Sequence, residues 1–300
     1  MRLAVILAWF LLLCPAAHAA TQSAEEMAAF ADHLFGAGDY YRAVTEYERL
    51  LFHHPGHGLA DAAQLRIAEC YLRGGKYEQA LARFRAIARA GAGGETGRRA
   101  QFLAAEAYFR KGDYGRAAEE FSAYADSWPE DPQAGEARVQ AAWSLLRQGD
   151  AAAASEGFRK VPAGSSLLQQ ARELADAAPA FDDIPRKSPG LAGGLSAVLP
   201  GAGQLYVGRP GDAAAAFLLN AGFIWATVES FRHDNNVTGG ILLFFEAGWY
   251  AGNIYNAVGG AHKFNRRSEQ RFYDGLQERF GFLLSYDRKG TSAALLALRF

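Results

Sequence analysis

The sequence predicts an all-α protein in which a solenoid of paired helices over residues 24–178 is followed by a small α-helical transmembrane module. Three observations carry that expectation. Marker residues recur at a fixed spacing of 37 through the first half, a glycine turn recurs in step with them, and near residue 178 the composition shifts to glycine-rich apolar stretches. With 300 residues the chain has length for about two domains. Lys and Arg total 31 against 32 Asp and Glu, a net charge of −1, which lacks the basic excess of a nucleic-acid binder.

Residues 1–20 read as a secretory signal peptide. Arg2 supplies the charged start, residues 3–13 the apolar run, and Ala17-His18-Ala19 the small-x-small cleavage site. Cys14 follows Leu13 where a lipoprotein signal wants a small residue, which argues against lipid attachment. With the leader removed, Cys70 is the only thiol, so no intrachain disulfide can form. Its place on the apolar side of a predicted helix reads as a small buried hydrophobe.

The solenoid is written in columns. Gly38, Gly75, Gly112 and Gly149 share one, and Ala31, Ala68, Ala105 and Ala142 another. Ala43, Ala80, Ala117 and Ala154 form a third, Tyr47, Phe84, Phe121 and Phe158 a fourth, and Leu34, Tyr71, Tyr108 and Leu145 a fifth. Each unit reads as helix, tight turn, helix, with glycine ending the first helix. Facing alanines let the two helices approach closely, and the aromatic column fills the gap between units.

These columns resemble the tetratricopeptide repeat family, in the long-period form seen in bacterial envelope proteins of the BamD and Tol-Pal coordinator type. Pro55 and Pro129 match the proline that closes a repeat, and Ala151 replaces the turn tyrosine in the fourth unit. The resemblance implies four repeats plus a capping helix, and a groove lined by the first helix of each unit that holds a peptide or protein partner. Mapped onto this chain, the groove column is Asp32, Glu69, Glu106 and Trp143, with Arg73, Arg110 and Arg147 beside it and Phe102 and Phe109 joining them. Arginine with aromatics suits peptide recognition. The competing expectation is that Glu69 with Arg73 and Glu106 with Arg110 are ordinary i,i+4 pairs on a solvated face.

Residues 179–190 hold Pro179, Pro185 and Pro189 among charged residues and read as an extended linker. The membrane module follows at 191–262, with apolar stretches at 191–207, 213–231 and 237–261, of which only the last is long enough to span unaided. The run Leu199-Pro200-Gly201-Ala202-Gly203-Gln204-Leu205-Tyr206-Val207-Gly208-Arg209 and the block Asn253-Ile254-Tyr255-Asn256-Ala257 resemble TM2-type small membrane domains, a likeness that implies an architecture and no reaction. Pro200, Gly201 and Gly203 can break the first segment, giving a re-entrant or hairpin lead-in. Positive-inside logic applied to Arg209, Lys263, Arg266, Arg267 and Arg271 gives three crossings for an exported solenoid, the alternative being two crossings that leave the basic cluster in the periplasm. Glu246 is the ionisable residue inside the last stretch, with Asn220, Gln204 or Asn253 as its expected partners.

The basic tail at 263–300 carries an amphipathic segment at 268–280 and strand-like alternation at 282–286 and 294–300. No Walker loop, HExxH or paired CxxC is present, so no catalytic residue and no cofactor is expected. His53, His54 and His57 are the one metal-like cluster, and a solvated loop is the plainer reading of it. The sequence therefore points to a non-enzymatic scaffold of the bacterial inner membrane, with a periplasmic solenoid that binds a protein or peptide and takes part in envelope assembly. The alternatives are a transporter or channel subunit using Glu246, a metal-handling protein using the three histidines, and an outer-membrane location.

Overall fold

The structure, a computed structural model, describes residues 22–91 and 93–280. The expected leader at 1–20 and the strand-like segments at 282–286 and 294–300 lie outside the described residues. The described residues form helices and contain no strand. They fall into two compact units, one ending at Ser144 and one beginning at Leu145.

The first unit is built from α1 (Ala24–Gly36), α2 (Tyr40–His53), α3 (Ala60–Arg73), α4 (Tyr77–Ala90), α5 (Glu95–Lys111), α6 (Tyr114–Ser127) and most of α7 (Ala134–Gln148). The register explains the turns. Gly38, Gly75, Gly112 and Gly149 have φ of 79°, 73°, 86° and 99°, the left-handed region that glycine enters without a Cβ clash. Each closes a Schellman motif: Gly112 N–H donates to the Phe109 carbonyl and Asp113 N–H to the Tyr108 carbonyl, both at 3.0 Å. The next residue then caps the second helix, as when Asp39 accepts from Arg42 N–H at 3.3 Å and Asp113 from Arg116 N–H at 3.4 Å. Lys76 stands at that position in the second repeat and caps nothing with its side chain.

Packing follows the other columns. Ala31, Ala68, Ala105, Ala142, Ala43, Ala80 and Ala117 are fully buried, and Tyr47, Phe84 and Phe121 are buried between helices. Cys70 is buried among Ile67, Ala63 and Leu50, and burial pushes its thiol up to about 12. It behaves as the small hydrophobe that its helix face predicts.

The second unit starts with the end of α7 and continues through α8 (Ala151–Arg159), α9 (Leu168–Ala177) and a 3-10 turn (Ala178–Phe181). Ala154 and Phe158 are buried here in their expected columns, and the Ser155 hydroxyl donates to the Ala175 carbonyl at 2.7 Å, tying α8 to α9. The glycine-rich module then comprises α10 (Pro189–Val198), α11 (Ala202–Tyr206), α12 (Pro210–Arg232) and α13 (Asn236–Phe280).

Pro200 and Gly201, the latter at φ 93°, break the first apolar stretch into α10 and α11. With 10 residues α10 is about 15 Å long, half a bilayer core. The chain then folds back, since the Ser188 N–H donates to the Tyr206 hydroxyl at 3.1 Å and both ends of the α10–α11 pair lie at one level. The 23 residues of α12 give about 34 Å, and α12 pairs with the first half of α13 as a helical hairpin turned at Asp234.

Two expectations are corrected in this unit. Residues 182–188 carry no helix but are not a loose spacer: the Lys187 N–H donates to the Asn265 side chain at 2.7 Å, the Asn265 amide returns a bond to the Lys187 carbonyl at 2.9 Å, and Arg186 lies over the Phe181 ring. That reciprocal pair makes residues 187 and 265 neighbours. The basic residues expected as a separate tail are the continuation of α13, whose Tyr273 hydroxyl donates to the Leu146 carbonyl at 3.0 Å.

Candidate functional site

In the first unit the candidate surface is the face shared by α1, α3 and α5, the first helices of successive repeats. Arg66 organises it. Its guanidinium reaches Glu69 at 2.8 Å and Asp32 at 3.5 Å and lies 5.1 Å from the Phe35 ring, while the Tyr47 hydroxyl donates to Asp32 at 2.5 Å. Burial works against the charge of Arg66, but Glu69 and then Asp32 hold its pKa above the ordinary arginine value. Arg99 approaches Glu69 at 3.9 Å, and Arg73 stacks on Phe35 at 5.0 Å.

Further along, Glu106 and Arg110 pair at 2.9 Å with little exposure. Burial raises the Glu106 carboxyl above the usual range, opposed by Arg110, Arg99 and Arg73, and lowers Arg110. Glu136 on α7 is likewise raised by burial and pulled back by Arg99. Arg66, Arg73, Arg99 and Arg110 thus answer Asp32, Glu69, Glu106 and Glu136. The face is balanced in charge, and it offers a fixed pattern of donors and acceptors rather than a one-sign field.

Several expected groove residues lie elsewhere. Phe102 is buried, with its ring edge-on to Phe121 at 5.2 Å and Tyr124 at 5.5 Å, because position 102 turns toward the second helix of its own repeat. Trp143 is buried at 2% exposure, and Phe109 is buried edge-on to Tyr114. Of the two expected i,i+4 pairs, Glu106 with Arg110 forms, whereas Glu69 turns to Arg66 and leaves Arg73 to Phe35. Arg147 belongs to the second unit, where its guanidinium lies 4.5 Å over the Tyr273 ring. Arg66, Arg99 and Glu136 are the participants that the column reading passed over.

The second unit holds a polar knot where the helix break meets α13. The Ser196 hydroxyl donates to Gln204 Oε1 at 2.9 Å and accepts from Gly203 N–H at 3.1 Å, and Gln204 Nε2 donates to the Asn253 carbonyl at 3.0 Å and to its side chain. Of the expected polar set, Gln204 and Asn253 therefore meet each other and not Glu246. Asn220 donates within its own helix to the Ala216 carbonyl at 2.6 Å. Glu246 is buried, with no hydrogen-bond partner for either carboxyl oxygen among the described residues. Next to the knot, Gln204, Asp212, Phe244, Phe245, Trp249 and Asn253 border a largely apolar cavity of about 730 Å³.

The histidine cluster is engaged in packing. His57 pairs with Glu25 at 3.2 Å and accepts from Leu59 N–H, and His54 contacts the Gln22 carbonyl at 3.2 Å. Among the described residues no group of three His, Cys, Asp or Glu side chains is placed to hold a metal ion.

Comparison with known proteins bears on the front of the chain. The tetratricopeptide repeat family model matches residues 28–95, 75–132 and 102–166. No curated protein matches the chain. Among solved structures, a tetratricopeptide repeat protein from Parabacteroides merdae is similar at 15% identity and a TM-score of 0.42, covering 88% of this chain and 98% of that one. The matched segments coincide with the glycine turns and buried alanine columns described above: residues 28–166 carry tetratricopeptide repeats, stacked as an all-α solenoid.

Proposed function

We propose that this chain is a membrane-tethered scaffold of the bacterial envelope. Its repeats hold a protein or peptide partner on the α1–α3–α5 face, and its glycine-rich module is the anchor. Tetratricopeptide repeats generally bind such partners, and a non-enzymatic role agrees with that. The observation that carries the tether is the bare apolar surface of the hairpin. The apolar window of α12 has a mean hydropathy of 1.3 and is only 11% buried, and Trp225, Val237 and Phe244 are 69%, 76% and 76% exposed. A water-facing hairpin would leave that area unburied, whereas lipid covers it. The signal-like leader supports an exported, periplasmic solenoid.

The test uses the full chain in native membranes. Photo-crosslinkers placed on the α3 and α5 faces are expected to trap a discrete partner, and Arg66→Ala with Arg99→Ala to abolish the adduct. A chain recovered wholly in the soluble fraction, or an adduct indifferent to both arginines, would reject the proposal. A second reading is favoured by one observation, the unpartnered Glu246 carboxyl: solute or proton transfer through the module, which Glu246→Gln would stop and which the scaffold role does not need.

A further inference from the structure

A second cleft lies at the foot of the hairpin, where the turn before α12 meets the lower part of α13. It has a volume of about 680 Å³, and its polar and charged lining is Arg209, Lys263, Arg267, Gln270 and Arg271, with Val207 and Phe264 among its apolar walls. No Asp or Glu lines it. Along α13, residues 260, 263, 264, 267, 270 and 271 recur at helical spacing, so the cleft is one continuous stripe. Gly260 permits the closeness, because a Cβ there would meet Val207 at 3.0 Å and Arg209 at 3.6 Å. Gly208, at φ 80°, turns the chain so that Arg209 faces the stripe.

Most of these cations are not spoken for. Arg209 pairs with Asp212 at 2.6 Å and donates to Asn256 at 3.0 Å. Lys263 and Arg267 have no acidic partner among the described residues, and Arg271 reaches only the Ser268 hydroxyl and the Arg267 carbonyl. Three cations on one stripe repel each other unless an anion sits among them. Their position tells which anion: Arg209 immediately precedes α12, whose exposed apolar surface begins above the cleft, so the basic stripe sits at the level where a bilayer's phosphates would lie. Positive-inside placement does not account for it, since Lys187 and Asn265 hold this end on the side from which α10 enters.

We propose that this cleft binds the phosphate headgroup of an anionic phospholipid, with Lys263, Arg267 and Arg271 on the phosphate oxygens and Val207 and Phe264 against the glycerol and upper acyl chain. The site rests on the membrane reading given above. The test is native mass spectrometry of the full chain in detergent, titrated with phosphatidylglycerol and with phosphatidylcholine, beside flotation with vesicles of each composition. Wild-type protein is expected to retain phosphatidylglycerol preferentially. Lys263→Gln with Arg267→Gln should weaken that retention about twenty-five-fold, at roughly fivefold per cation. Arg266→Gln, a charge loss outside the cleft lining, should leave it unchanged, and circular dichroism of each variant verifies the fold. Equal retention of the two lipids, or equal loss from all charge variants, overturns the site. Displacement of phosphatidylglycerol by millimolar inorganic phosphate overturns the lipid and assigns the cleft to free phosphate. Failure to float with either vesicle overturns the tether, while the detergent titration still reads the cleft.

Discussion

Gly112 has open space around the position a Cβ would take, yet its φ of 86° is one that side chains resist. Gly112→Ala should therefore cost about 1–2 kcal/mol through torsion alone, seen as a lower urea midpoint at unchanged m. Lys76→Asp should work in the other direction: it restores the cap found at Asp39 and Asp113 and is expected to add about 1 kcal/mol in the same measurement. Cys70, with its thiol held near 12, should resist iodoacetamide at pH 8 in the folded chain and react promptly in urea. Fast labelling of folded protein would mean that the second repeat opens. Residues of this kind were readable in advance because a 37-residue period repeats the same environment. Arg66 and Arg99 are not, since they share no column: Arg66 pairs with Glu69 one turn along α3 but reaches Asp32 only across to α1, and Arg99 meets Glu69 only through the stacking of α3 on α5. The inward directions of Phe102 and Trp143 are hidden for a related reason: column membership gives a helix face, and whether that face meets solvent or the next helix depends on rotation between neighbours.

Among the elements, the broken α10–α11 pair depends on Gly203. A Cβ there would fall 2.0 Å from the Ala192 carbonyl, 2.4 Å from the Ser196 hydroxyl and 2.7 Å from Ala257. Gly203→Ala is expected to lower the melting temperature in detergent by an amount equivalent to about 1–3 kcal/mol. Gly194→Ala, in the same α10 but with nothing near its Cβ, should be neutral or slightly stabilising. Equal effects at both positions would mean that α10 does not pack where it is drawn. The lower end of α13 invites a parallel experiment. Tyr273 stacks against Phe181 and Phe272 and donates to Leu146, so Tyr273→Ala should cost about 3–5 kcal/mol and speed amide exchange over residues 263–280. The break at Pro200-Gly201 was legible from composition. The knot of Ser196, Gln204 and Asn253 was only half legible, because polar residues in an apolar stretch announce that they need partners without naming them.

For the molecule as a whole, the repeat solenoid and its glycine-rich sequel are legible in the sequence, whereas the pairing that would set the number of passes is not. The bond between Lys187 and Asn265 joins residues 78 apart in a pattern no local signal encodes. A direct check uses single cysteines in a Cys70→Ala background, labelled from outside with an impermeant maleimide. Because Lys187 and Asn265 are neighbours, positions Asp183 and Arg266 are expected to react from one side and Asn235 from the other; opposite labelling of 183 and 266 would show an odd count. One feature of α13 reaches beyond topology. Its 45 residues run about 67 Å without a break, from the hairpin turn to the Tyr273 contact with Leu146. Such a rod has no slack to absorb a pull. With the hairpin in a bilayer, as proposed above, a load applied at residues 146–181 would pass along this helix and arrive there as tilt.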